Sequence, residues 1–333
     1  RGLADAGRAD EGEDRAADLV GQGPDGRNFY WRTLAPSNYN AAQNRFNGTA
    51  RHGSVAAFND VILAKETNKG NGQQLTLSLT KPYSEESNLS WTVAYAYTDA
   101  TEVNPLTSSR AISNFSSHAV LNPGEELSSR SAYINRDRFS AALSWRHFFF
   151  ADLKTEVSMF YEGRKGKPYS WVFNNDANGD NIIGNDLLYI PANQNDVVFT
   201  NPAEAATFWD VVNRNGLAQY AGTALERNSH FAPWVNSFDM RFSQQLPGFW
   251  DGHKAELWLD VLNVGNLIDK DWGHIDEVFF QAGGGSARSF VNFAGIDPSG
   301  RYVYDVVNEE QFGRRDRQGE SRWALQLGFR YSF

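Results

Sequence analysis

Asp176, Asn178 and Asp180 place three oxygen-bearing side chains at i, i+2 and i+4 of one short stretch. In a tight turn that spacing aims alternate side chains at a single hard cation, as in the first half of an EF-hand-type calcium loop. Ile182 would offer a backbone carbonyl at the seventh position. Asn181 holds the sixth position, where glycine is usual, and Asp186 stands at the eleventh, one short of the customary bidentate Glu. The candidate ligands are therefore Asp176, Asn178, Asp180 and Asp186, in a 174–187 loop. Ca2+ is the one cofactor suggested, and none is required. The competing reading is an Asx-rich loop whose side chains bond their own backbone.

Other reactive constellations are missing. There is no cysteine, which excludes a disulfide framework, thiol chemistry and Cys-ligated metal. The six histidines (His52, His118, His147, His230, His253, His274) show no ligand spacing such as HExxH. GxSxG does not occur, Gly70-Asn71-Gly72 lacks a third glycine, and Gly283-Gly284-Gly285-Ser286 lacks the Lys of a phosphate loop. The expectation is that the chain is not an enzyme. An outer-membrane hydrolase, as a third class, has no nucleophile constellation here.

The elements that would position these residues follow from patterning. The 333 residues carry 40 acidic against 31 basic side chains, a net charge of -9, which argues against nucleic acid as a partner. They hold 10 Trp, 13 Tyr and 23 Phe at a mean hydropathy of -0.53, and no apolar run is long enough for a membrane-crossing helix. Many aromatics in a polar chain suit a transmembrane β-barrel, where apolar residues occupy alternate positions and aromatic girdles mark the interfaces.

Strict alternation supports strands. Leu75, Leu77 and Leu79 share one face against Thr76, Ser78 and Thr80. Leu89, Trp91, Val93, Tyr95 and Tyr97 oppose Ser90, Thr92, Ala94, Ala96 and Thr98. The pattern recurs at Phe139–Trp145, Leu153–Tyr161, Phe238–Phe242, Leu257–Val261 and Trp323–Phe333, although Trp258 and Leu262 interrupt the polar face of their segment. A weaker segment near Ala57–Leu63 brings the number to about eight strands. Lys154, Glu156, Asp239, Arg241, Glu256, Asp260 and Arg330 all fall on the polar parity. That keeps out of lipid charges that would each cost about 2–4 kcal/mol at mid-bilayer.

The gaps alternate between short (81–87, 148–152, 246–253) and long (about 99–137, 164–235, 265–321). Three such loops are rare in soluble domains and match the short periplasmic turns and long extracellular loops of outer-membrane barrels. Residues 1–27, rich in Ala, Gly and acidic residues and free of aromatics, read as a lead-in or loop. The absence of Met at position 1 is what a removed signal peptide or a piece of a longer chain would leave.

The terminal run Leu325-x-Leu327-x-Phe329-x-Tyr331-x-Phe333 resembles the assembly signal of outer-membrane barrel proteins, with Phe329, Tyr331 and Phe333 as its aromatics. Further stretches look like the C-terminal half of TonB-dependent receptors of the Oar-like branch. These are Thr67-Asn68-Lys69-Gly70, Gly163-Arg164-Lys165-Gly166-Lys167-Pro168-Tyr169-Ser170, Asn175-Asp176-Ala177-Asn178-Gly179-Asp180, Asn185-Asp186-Leu187-Leu188-Tyr189-Ile190-Pro191, Arg227-Asn228 with Pro233-Trp234, and Leu259-Asp260-Val261-Leu262-Asn263-Val264-Gly265-Asn266-Leu267.

The resemblance covers about residues 28–333 and implies an all-β, antiparallel transmembrane barrel, of which this chain supplies about eight C-terminal strands. It further implies an outer-membrane location in a Gram-negative bacterium, and capture of an extracellular ligand for energised uptake into the periplasm. The implied partners are outer-membrane lipid, the barrel-assembly machinery and the TonB complex, the last acting through an N-terminal plug that this sequence lacks. The alternative is a small plugless barrel acting as an adhesion or surface-binding anchor, since eight strands can close alone.

Overall fold

The structure, a computed structural model, describes residues 21–46, 62–281 and 284–333. Where apolar and polar residues alternate, the chain forms long strands: β1 (Asn71–Lys81), β2 (Leu89–Glu102), β3 (Asp137–Phe150), β4 (Leu153–Arg164), β5 (Val235–Pro247), β6 (Lys254–Leu262) and β7 (Ala324–Ser332). Each pairs antiparallel with the next, giving an open wall in sequence order, and Ser129–Arg130 adds a short pairing to the end of β2. The connections β1–β2, β3–β4 and β5–β6 are short and lie at one end. The three long ones, 103–136, 165–234 and 263–323, all leave from the other.

The register separates two faces. One row runs Leu89, Trp145, Val157, Phe242, Leu259, Leu327 across six strands. The neighbouring row on the opposite face runs Ser90, Ser144, Ser158, Arg241, Asp260, Gln326. Polar partners meet across the strands of that second face. Arg241 grips Asp260 with Nε–Oδ1 at 2.5 Å and Nη2–Oδ2 at 2.8 Å, and the hydroxyls of Ser144 and Ser158 lie 2.8 Å apart. Within β4, Lys154 reaches Glu156 at 2.5 Å. The apolar face has no protein cover: Phe242 is 49% exposed and Leu327 71%.

As expected of part of a larger wall, no closed barrel forms among the described residues, since β1 and β7 each lack an outer partner there. Two expectations are adjusted. The long strands number seven. Of the eighth, at Ala57–Leu63, residues 57–61 lie outside the described residues, and Ile62 and Leu63 are not in a strand. Phe148, Phe149 and Phe150 belong to the end of β3 and not to a turn. A register shift between His147 and Phe150 lets β3 run on to a two-residue turn, Ala151-Asp152, with Ala151 left-handed at φ 48.

The largest adjustment concerns the long connections. They are not isolated loops: together with residues 21–46 they fold into a cap that holds the main hydrophobic core, with Phe29, Trp171, Phe173, Phe208, Phe293 and Tyr304 fully buried. Pro168–Trp171 pairs antiparallel with His230–Phe231 and parallel with Gly285–Arg288. Val197–Phe199 pairs parallel with Tyr302–Tyr304, so the antiparallel expectation holds throughout the wall, while the cap mixes parallel and antiparallel pairs. The helix Glu204–Arg214 turns Phe208, Val211 and Val212 inward, at the i, i+3, i+4 spacing of a single helix face.

Candidate functional site

The 174–187 loop is closed at its base by pairing between Val172 and Leu187. Inside it, each candidate oxygen accepts a hydrogen bond from a nearby donor. Asp176 accepts from the amides of Gly179 (2.7 Å) and Asn181 (3.0 Å), and Asn178 Oδ1 from the amide of Asp180 (2.8 Å). Asp180 accepts from the Ile182 amide and from Asn185 Nδ2, both at 2.8 Å. Asp186 Oδ2 accepts from the amides of Ala177 (2.8 Å) and Asn178 (3.3 Å), while its Oδ1 takes Arg27 Nη1 at 3.0 Å. Asn181 turns through φ 78, a left-handed conformation that Asn tolerates. It thus serves where glycine had been expected.

This is the Asx-rich arrangement. Asp176, Asn178, Asp180 and Asp186 are brought into one loop, where their oxygens accept from backbone amides and from the side chains of Asn185 and Arg27. Among the described residues no group of three or more His, Asp or Glu side chains is placed to hold a metal ion.

Sequence reasoning missed Arg27, assigned to the lead-in. Its guanidinium is fully buried, with Asp186 at 3.0 Å and Asp25 at 3.3 Å, both side chains also fully buried, and it donates to the Leu187 carbonyl as well. Burial pushes the Asp186 carboxyl well above the ordinary range, with Arg27 opposing. The following residues clamp the loop from the same side: Tyr30 N donates to Asn178 O at 2.7 Å and Trp31 Nε1 to Ala177 O at 3.2 Å. The only signal was the abrupt start of aromatics at Phe29, Tyr30 and Trp31.

The histidines do not assemble. His118 and His230 are separately half-buried in the cap and pushed down to about 4, by desolvation first and then by nearby arginines. His147 stacks on Trp145 with centroids 5.7 Å apart, and His253 meets the Tyr331 hydroxyl at 2.9 Å. His52 lies outside the described residues.

The terminal aromatics sit on the uncovered face of β7 and just beyond its end. Phe329 is 61% exposed and Phe333 97%. Tyr331 differs, because its hydroxyl receives the Phe249 amide at 3.1 Å and its ring stacks on Phe249 at 5.7 Å. Together with Phe148–Phe150 and the exposed Trp250, these rings crowd the short-turn end of the wall. Comparison with protein-family models, curated proteins and solved structures gives no match.

Proposed function

We propose that this chain is the C-terminal barrel portion of an Oar-like, TonB-dependent receptor in the outer membrane of a Gram-negative bacterium. In this reading the wall faces lipid, and the cap built from the long connections captures an extracellular ligand. Release of a plug by the TonB complex then lets the ligand pass into the periplasm. The observation that carries the reading is the row Leu89, Trp145, Val157, Phe242, Leu259, Leu327, which has no protein cover and lies one residue away from a row of serines and a bidentate ion pair. Lipid rewards that partition, since it solvates the first row and forces the second to find partners among themselves. Aromatics gathered at the short-turn end fit an interfacial girdle. The two edges left unpaired among the described residues favour a wall completed by further strands over the small sealed barrel.

The test is expression behind a signal peptide in a Gram-negative host, within the full-length reading frame. Recovery in the outer-membrane fraction, heat-modifiable migration, and labelling of a cysteine at position 242 by a bilayer-dissolved reagent support the reading. Recovery as a soluble periplasmic protein overturns it.

A further inference from the structure

Where the long connections meet the end of β2, they enclose a cavity of about 620 Å³, within the range of small-molecule sites. Its lining is mainly apolar in surface and carries hydroxyl and amide groups, with Ser113, Ser116, Asn114 and Ser286 among the contributors. The enclosure is built. Gly284 N donates to Ser116 O at 2.9 Å, and Asn228 Nδ2 to Arg130 O at 2.7 Å. Gly285, left-handed at φ 70, passes so close that a Cβ there would stand 2.6 Å from the Ser117 carbonyl.

One residue in this lining is electrostatically incomplete. Arg227 is only 8% exposed. Its Nη2 donates to the carbonyls of Glu102 and Val103, both at 2.8 Å, and of Leu127 at 3.3 Å. These bonds tie one nitrogen to the rim of the wall. Its Nε and Nη1 form no hydrogen bond, and Arg227 no ion pair, among the described residues; the carboxylates of Glu102, which shares the lining, and of Glu125 act on it from beyond ion-pair distance. The other buried arginines of the cap are answered by acids, Arg27 by Asp25 and Asp186, and Arg288 by Glu309. A buried cation whose acids stand beyond ion-pair distance is costly. Carbonyl dipoles offset part of that cost; an anion in the cavity would offset the rest.

We propose that this cavity binds a small organic anion, whose carboxylate or phosphate group is received by the free N–H groups of Arg227 while the serine hydroxyls and Asn side chains hold its polar body. Burial lowers the proton affinity of the Arg227 guanidinium, with Glu102 and Glu125 opposing, as expected for a cation awaiting its partner. The site belongs to the cap, so its failure leaves the membrane reading of the wall untouched.

His118 lines the same cavity and senses the charge of Arg227, which makes it a local reporter. The purified chain, labelled at histidine, is titrated at low salt with succinate, with inorganic phosphate, and with neutral succinamide as control. Saturable movement of the His118 ring resonances with succinate or phosphate, and not with succinamide, is the expected result. The response to each also tells carboxylate from phosphate. Ser113→Phe, which fills the cavity and leaves Arg227 in place, should weaken the response about tenfold or more, and Arg227→Lys, which keeps the charge but loses the anchoring bonds, by a similar factor. Absence of a saturable shift in the wild-type chain at tens of millimolar, or an equal response to succinamide, overturns the proposal without reliance on either variant.

Discussion

Trp258 on β6 lies directly opposite Gly328 on β7, and a Cβ on that glycine would stand 2.1 Å from the indole. The ring fills the space left by the missing side chain, with Arg241 and Arg330 at 5.8 Å and 5.9 Å from its centroid. An aromatic residue on the polar parity, which interrupts the alternation in sequence, is thus seated on glycine between two cations. Gly328→Val should cost about 1–3 kcal/mol by overpacking, read as a lower unfolding temperature of the folded wall. An unchanged melt shows that Trp258 is not held there.

The two faces should respond oppositely to charge. Leu327 and Gln326 are adjacent on β7 but belong to different rows. Leu327→Arg should cost about 2–4 kcal/mol in a bilayer and reduce the folded, inserted fraction. Gln326→Arg, beside Asp260, should be nearly neutral. Equal yields for the two variants would remove the lipid assignment.

Assembly should depend on the terminal ring. Phe333 is 97% exposed and makes only a tilted contact with His253 at 6.4 Å, so its removal takes little from the folded state. Deleting it, or Phe333→Ser, is expected to lower the amount of heat-modifiable, surface-exposed protein while synthesis continues. A variant that inserts as well as wild type refutes the role.

The 174–187 loop should depend on Arg27. Arg27→Met leaves Asp186 buried without its counter-charge and is expected to cost about 3–5 kcal/mol, visible as early protease cleavage in the loop. Calcium at about 10⁻⁴–10⁻³ M, the range of weak extracellular sites, tests the ion separately: cleavage of the wild type that calcium does not change leaves an Asx-rich loop held by the amides of Gly179, Asn181 and Ile182. Calcium-dependent protection would return the ion to Asp176, Asn178, Asp180 and Asp186.

The cap should weaken in acid. His118 and His230 fall to about 4 in the folded chain, against about 6.5 when unfolded. Depressed values mean that the unfolded state binds more protons between those limits. Stability is therefore complete above about pH 6.5 and is lost as pH falls toward 4, on the order of 2–3 kcal/mol for each residue. Urea unfolding of the wild type should steepen over that window, and His118→Asn with His230→Asn should flatten it. Parallel slopes in the two proteins would place the buried neutral state elsewhere.

Alternation by itself determined the wall. Side chains in a strand point to opposite faces with period two, so Leu75, Leu77 and Leu79, or Phe329 and Tyr331, declare a face without knowledge of any neighbour, and the alternating gap lengths declare the two ends. Only tertiary structure decided the cap. Its core joins residues far apart in the chain: Arg27 meets Asp186, Tyr304 donates to the carbonyl of Tyr189 at 2.9 Å, and Asn175 exchanges two hydrogen bonds with the backbone of Phe293. None of these partners stands at a local period, and the parallel pairing of Val197–Phe199 with Tyr302–Tyr304 has no hairpin to announce it. The aspartates near residue 180 show the same limit. Their spacing suits a cation or an Asx-rich loop equally well, and how the carboxylates are held depends on how Arg27, Tyr30 and Trp31 pin the loop from more than a hundred residues away.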